Sequence, residues 1–139
     1  MTLFVDTSVW SLAFRRDAKS SSTASAEVLA LRQALEGDDT IVTTGVILQE
    51  LLQGFLGPRA RKDIIERFSA LPLLVPDRQN HIEAAELRNK CRRAGVQIGT
   101  IDALLAQLCI RHSLTLLTTD QDFVHVAEHF PLRLWKQRA

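Results

Sequence analysis

Residues 114–123 read LTLLTTDQDF, an apolar run that ends abruptly at two acidic residues, Asp120 and Asp122. The same pattern occurs near the start of the chain, where the apolar residues of LFVD (3–6) end at Asp6. Short apolar runs closed by polar residues are typical of buried strands that lead into turns or helices. We therefore expect Asp6 and Asp120 to follow directly after two strands of one sheet.

Segments with helical spacing of apolar residues separate several such strands. Runs with strand character occur at 3–5, 40–45, 71–76 and 114–119, and PLRLW (131–135) is a candidate for a fifth. Parallel strands need crossover connections that are long enough to hold a helix. The alternation therefore predicts an α/β domain with a mainly parallel central sheet of four to five strands.

The segment GTIDALLAQLCIRH (99–112) has the clearest helical spacing of apolar residues. Its large apolar side chains recur at intervals of three and four positions, which predicts one buried face. This predicted face consists of Ile101, Leu104, Leu105 and Leu108.

Composition limits the classes of protein to which the chain can belong. The 139 residues, of which 46% are hydrophobic and 24% charged, suffice for a single domain over 1–139 whose core needs no disulfides. Cys91 and Cys109 are far apart and are expected to be free thiols. No apolar run approaches the roughly 18 residues of a membrane span, and no signal peptide is evident. We expect a cytoplasmic protein without a membrane partner.

Two further carboxylates, Glu50 and Asp102, interrupt apolar stretches that otherwise have core composition. Each falls at the margin of the apolar stripe of a predicted helix, from which it could reach the carboxyl ends of the strands, where such sheets bind ligands. Four carboxylates brought together repel one another unless a cation compensates them. Oxygen ligands of this kind suit Mg²⁺ or Mn²⁺. Taken singly, each acid is also explained by helix capping, by the helix dipole or by simple exposure.

Four motifs in this order resemble the PIN domain, and most closely the VapC-type toxins of bacterial toxin–antitoxin pairs. They are VDTS (5–8), ILQELLQG (47–54), TIDALLAQ (100–107) and TTDQDF (118–123). The resemblance covers nearly the whole chain. It implies a three-layer α/β/α PIN-like domain around the predicted sheet.

The resemblance also implies the residues of an active site. The acidic quartet that binds Mg²⁺ or Mn²⁺ in the family is matched by Asp6, Glu50, Asp102 and Asp120. A more variable fifth acid is matched by Asp122, and the polar positions that orient the carboxylates are matched by Thr7, Ser8 and Thr118. Simple capping or turn formation explains these three polar residues equally well.

The function that the resemblance implies is metal-dependent hydrolysis of RNA by water, which leaves a 5′-phosphate and a 3′-hydroxyl. It further implies an antitoxin protein as partner and a homodimer. Because the net charge is only +1, a uniformly basic surface cannot attract the RNA. Phosphate contacts are instead expected from two basic clusters, represented by Arg59, Arg61, Lys62, Arg92 and Arg93. The aromatic residues show no repeated stacking pattern, so an aromatic platform for single strands is not expected.

Three other interpretations remain open at this point. HVAEH (125–129) matches a zinc-peptidase pattern through His125 and His129, although no third ligand is evident. An α/β domain that forms an aspartyl-phosphate at Asp6 is a second, although the second Asp of DxD phosphatases is missing. A PIN-like binding module without catalysis is the third.

Overall fold

The computed structural model describes residues 1–16 and 25–137 of the chain. Within these residues, five short strands form one sheet. They are β1 (Thr2–Val5), β2 (Thr40–Thr44), β3 (Leu73–Leu74), β4 (Thr115–Leu117) and β5 (Arg133–Leu134). Every neighbouring pair is parallel, in the order β3-β2-β1-β4-β5. The sheet is therefore wholly parallel over the described residues, where the sequence predicted a mainly parallel one.

Helices connect all of these strands. Those in the described part of the chain are α1 (Thr7–Arg16), α2 (Ala26–Glu36), α3 (Gly45–Gly54), α4 (Pro58–Ser69), α5 (Arg78–Arg93), α6 (Thr100–Arg111) and α7 (Gln121–His129). This arrangement confirms the predicted three-layer α/β/α fold. None of these helices is long and apolar enough to cross a membrane.

The order of the strands reverses direction next to β1. The chain moves outward from β1 to β2 and β3, and α5 and α6 then carry it back to the opposite side of β1, where β4 and β5 follow. The backbone N–H of Asp6 donates to the carbonyl of Leu117 (2.9 Å), so β1 and β4 remain paired to their carboxyl ends. Open parallel sheets bind ligands where the strand order reverses. The ends of β1 and β4 therefore form the natural place for a site.

The strands next to this reversal are the most deeply buried part of the protein. Phe4, Val5, Leu116 and Leu117 are fully buried, as expected for a parallel sheet that is covered on both faces. Trp10 on α1 is also buried and packs against Phe68, with the ring centroids 4.9 Å apart. A close-packed core of this kind fixes the directions in which the strand ends point.

The predicted buried face of α6 is only partly correct. Leu105 and Leu108 are buried, but Ile101 is 37% exposed, and the small residues Ala103 and Ala106 are buried instead. Small side chains are buried where a helix packs closely against its neighbours. The spacing of the large apolar residues alone therefore placed the centre of this face incorrectly.

Candidate functional site

Asp6 lies directly after β1 and is almost completely buried, with 6% of its surface exposed. Its Oδ2 accepts hydrogen bonds from the hydroxyl groups of Ser8 (2.9 Å) and Thr118 (2.8 Å). A buried carboxylate is costly unless hydrogen bonds or charges compensate it, and these two donors supply part of that compensation. They also fix the orientation of the carboxylate group.

The same two hydroxyl groups join the ends of β1 and β4. Ser8 Oγ accepts a hydrogen bond from the backbone N–H of Thr119 (3.1 Å), and Thr118 Oγ1 accepts one from the N–H of Asp120 (3.0 Å). Each hydroxyl group therefore donates its proton to the carboxylate of Asp6 and accepts, through a lone pair, a hydrogen bond from a backbone N–H of the turn after β4.

Glu50 is a half-buried residue of α3 that contributes its carboxylate to the site. Its neighbours Ile47 and Leu51 are fully buried, so the helix is anchored in the core on one side of Glu50. Thr7, the first residue of α1, donates its hydroxyl proton to Glu50 Oε1 (2.8 Å). This bond ties the carboxylate of Glu50 to the segment that follows Asp6.

The remaining acids come from α6 and from the start of α7. Asp120 caps α7, and its Oδ1 accepts a hydrogen bond from the backbone N–H of Asp122 (2.9 Å). Asp102 lies in the first turn of α6. One carboxylate oxygen from each of Asp102, Asp120 and Asp122 lies within 4.8 Å of the other two. That spacing is compact enough for the three oxygens to share one cation.

The five acids interact electrostatically as one group, which we call the acidic cluster (Asp6, Glu50, Asp102, Asp120 and Asp122). Burial and, after it, the negative charges of the other four acids together raise the pKa of Asp102 to about 6. No ion pair among the described residues includes an acid of the cluster. Negative charge is therefore concentrated here, and no basic side chain in the described part of the chain forms an ion pair with it.

The donor set suits a hard divalent cation. All of the candidate ligands are carboxylate oxygens, which Mg²⁺ and Mn²⁺ prefer and which softer metals bind less selectively. Cys109 lies behind the cluster, where burial, and then the charge of Asp6, raises the pKa of its thiol. That thiol therefore stays protonated and does not compete as a ligand. The acidic cluster fits Mg²⁺ or Mn²⁺ on this chemistry.

The predicted phosphate-contacting residues lie outside the acidic cluster. Those on α4 are exposed, and Lys62 pairs with Glu66 on the same helix. Arg92 and Arg93 occupy the last turn of α5. Arg92 also lines a cavity of about 370 Å³ that extends to Gly99, next to the start of α6. Arg92 therefore lies near the start of the helix that carries Asp102.

The histidines of HVAEH lie on α7 and are exposed. His125 Nδ1 approaches only Glu128, at 3.7 Å. Within residues 1–16 and 25–137, the group of potential ligands that is close enough to share an ion is the trio of Asp102, Asp120 and Asp122. The described structure therefore gives no support to a zinc site on α7.

A groove that no sequence pattern predicted lies next to the acidic cluster. It has a volume of about 690 Å³, and its walls include Asp120 on one side and Trp135 and Lys136 on the other. Trp135 follows β5 directly, just as Asp6 follows β1. The position after a strand was the signal that could have identified Trp135, but we had applied it only to acids.

Comparisons with known proteins agree with the fold. A family model described as "PIN domain" matches residues 3–129. No curated protein matches the sequence significantly.

Several solved structures share the fold. VapBC2 from Rickettsia felis, bound to a DNA fragment from their promoter, aligns with a TM-score of 0.73 at 20% identity over 97% of this chain and 98% of that chain. VapBC-1 from nontypeable Haemophilus influenzae gives 0.72 at 17% identity over 97% of each chain. VapC20 from Mycobacterium tuberculosis, a sarcin-ricin loop cleaving toxin, gives 0.63 at 21% identity over 92% of this chain and 95% of that chain. At these identities the likeness concerns the fold.

Proposed function

The chain belongs to the PIN domain family, and on that basis we propose that it is a divalent-metal-dependent endoribonuclease, the toxin of a toxin–antitoxin pair. The observation that carries the proposal is the acidic cluster. Five carboxylates converge where the strand order reverses, and no basic side chain among the described residues pairs with them. A cluster of this kind is stable chiefly when a cation compensates it.

The proposed ligands of Mg²⁺ or Mn²⁺ are four acids, with Asp122 as a secondary fifth. They are Asp6, Glu50, Asp102 and Asp120. When bound, the ion would make a water molecule more acidic and would neutralise charge on the leaving oxygen of a phosphodiester.

Three hydroxyl side chains orient these ligands in the proposal. Ser8 and Thr118 hold one oxygen of Asp6, and Thr7 holds one oxygen of Glu50. Hydrogen bonds to a metal ligand fix its direction and strengthen metal binding. The proposed ligands from β1 and α3 are thus oriented before an ion arrives.

The proposed substrate is RNA. A solved structure with this fold, VapC20, is named as a sarcin-ricin loop cleaving toxin, which supports a nucleic-acid substrate here. Exposed cations on α4 and at the end of α5 are the proposed phosphate contacts: Arg59, Arg61, Lys62, Arg92 and Arg93.

The proposed partners are a cognate antitoxin protein and a second copy of the chain, in the cytoplasm. Neighbours in fold are VapBC toxin–antitoxin structures, which supports the antitoxin. All strands of the described residues belong to one sheet, which supports a single domain over 1–139.

Neither alternative function is favoured by an observation in the described residues. A pure binding module would gain nothing from five carboxylates that repel one another. Formation of an aspartyl-phosphate at Asp6 would bring an anionic phosphate donor to a buried carboxylate surrounded by four further acids.

The test is cleavage of a mixed cellular RNA by the purified protein in Mg²⁺ or Mn²⁺, next to a sample with chelator. Asp102→Asn is the site variant, and Asp63→Asn, an exposed acid on α4, is the matched control. We expect discrete products with 5′-phosphates from the wild type and the control only. Equal cleavage by Asp102→Asn, or cleavage in chelator, would contradict the proposal.

A further inference from the structure

The groove between Asp120 and Trp135 opens beside the acidic cluster on the β5 side. β5 pairs with β4 through Leu116 and Leu134, and the backbone N–H of Trp135 donates to the carbonyl of Leu116 (2.9 Å). Neighbouring strands lie about 5 Å apart. Trp135 is therefore one strand away from the end of β4, at the same edge of the sheet as the proposed metal ligands.

The inner surface of this groove is partly apolar. Leu132, Leu134 and Ala127 line it together with the half-buried Trp135, and Val124 adds an apolar side chain that is 37% exposed. An aromatic ring among buried and partly exposed apolar groups is a suitable surface for a flat, weakly polar ligand. A nucleobase has these properties and stacks on aromatic side chains without regard to sequence.

Charged residues of both signs line the groove. Arg133 and Lys136 are exposed cations on the β5 side, and they are suited to contact phosphate. Glu27, Glu128 and Asp120 also line the groove and would repel phosphate. Carboxylates do, however, accept hydrogen bonds from the amino groups of bases. The arrangement suits a nucleotide whose base faces the groove and whose phosphate faces the two cations.

We propose that this groove binds a nucleotide of single-stranded RNA adjacent to the cleaved phosphodiester, with its base stacked on Trp135 and its phosphate at Lys136. The inference rests on the ribonuclease function proposed above. A strand whose phosphodiester lies at the acidic cluster must continue over the neighbouring surface, and the groove shares Asp120 with that cluster. Its volume of about 690 Å³ lies within the range of small-ligand sites.

The test uses the intrinsic fluorescence of the protein. The chain has two tryptophans; Trp10 is 1% exposed and shielded from ligands, whereas Trp135 is half-buried in the groove. A short single-stranded RNA of mixed sequence is titrated into the protein, with Ca²⁺ in place of Mg²⁺ in the buffer. The tryptophan emission of the protein is followed. We expect RNA to quench Trp135.

Variants then identify the contacts. Measured by the anisotropy of a labelled RNA, since replacing Trp135 removes the fluorescent reporter, Trp135→Ala should weaken RNA binding about tenfold, as expected for the loss of one stacked base. Trp135→Phe, which keeps a ring and protects the fold, should weaken it less. Lys136→Ala should weaken binding several-fold at low salt, whereas Lys90→Ala, an exposed cation on α5 outside the groove, should not. In cleavage assays the groove variants should raise KM more than they lower kcat.

The outcomes separate the two proposals. Metal-dependent cleavage by the wild type, with no quenching of Trp135 by RNA and with unchanged KM in the groove variants, would overturn the groove assignment and leave the ribonuclease intact. Quenching by RNA without any cleavage would overturn the ribonuclease and leave a nucleotide-binding groove. Quenching by a basic peptide, with none by RNA, would overturn the groove assignment in favour of a protein partner.

Discussion

Replacing Asp102 by Asn should make the metal-free protein more stable, although it should abolish the proposed activity. Four other acids and burial raise the pKa of Asp102 from 3.8 to about 6 in the folded protein. A difference of this size corresponds to about 3 kcal/mol of unfavourable free energy when the group is charged. Because the side chain is half-buried and water screens part of the repulsion, we expect the variant to gain about 1 to 2 kcal/mol at neutral pH.

The stability that Asp102→Asn gains should depend on pH in a characteristic way. The folded pKa of Asp102 lies above the unfolded value, so the protonated group adds stability below about pH 4, and that stability is lost as pH rises through about 6. Asn carries no charge at any of these pH values. The stability difference between variant and wild type should therefore be small near pH 4 and fully developed above pH 7.

Urea unfolding followed by circular dichroism, in chelator and across this pH range, measures the difference. Asp63→Asn on α4 is the control and should change stability by less than about 0.5 kcal/mol. Mg²⁺ should stabilise the wild type by mass action and the variant much less. The reasoning is refuted if Asp102→Asn is less stable than the wild type at neutral pH in chelator, or if the difference does not vary with pH.

Three further predictions concern the metal ligands, the core and the surface. Thr118→Val removes the hydroxyl donor to Asp6 and should weaken Mn²⁺ binding about 10- to 100-fold in calorimetric titration with the fold retained; unchanged affinity would refute the orienting role. Leu105→Ala should cost about 2–5 kcal/mol in urea unfolding, whereas Ile101→Ala should cost far less, since Ile101 is partly exposed; equal losses would contradict the observed face of α6. Arg92→Ala should weaken RNA binding and lower the slope of log affinity against log salt by about one, and an unchanged slope would exclude a phosphate contact.

Local patterns in the sequence predicted the elements of the fold more accurately than their positions. Asp6 and Asp120 follow β1 and β4 as predicted, because short apolar runs and polar closures are local signals. β3 is only two residues long and lies between Pro72 and Pro76, the two prolines that bound the strand predicted in LPLLVP and that cannot donate to a neighbouring strand. The strand order cannot be deduced from such signals, since it depends on which side of β1 the chain returns to.

The candidate site shows the same limit. The positions of Glu50 and Asp102 at the margins of apolar stripes only allowed them to converge with the strand-end acids, and the family resemblance made that convergence the expectation. The residues of the groove have no sequence signature of their own. Trp135 is an isolated aromatic residue, and only the pairing of β5 with β4 brings it next to Asp120.

The hydrogen bond between Thr118 and Asp6 joins residues that are 112 positions apart in the chain. During synthesis, a nascent chain that has passed β3 contains Asp6 and Glu50 but lacks every acid from α6 and α7. The central strand β1 then has no partner on its β4 side, so the proposed catalytic centre cannot form until the ribosome has made α6, β4 and the start of α7. A polypeptide that stops before β4 is therefore expected to be harmless, and an antitoxin has until these elements are made to meet its target.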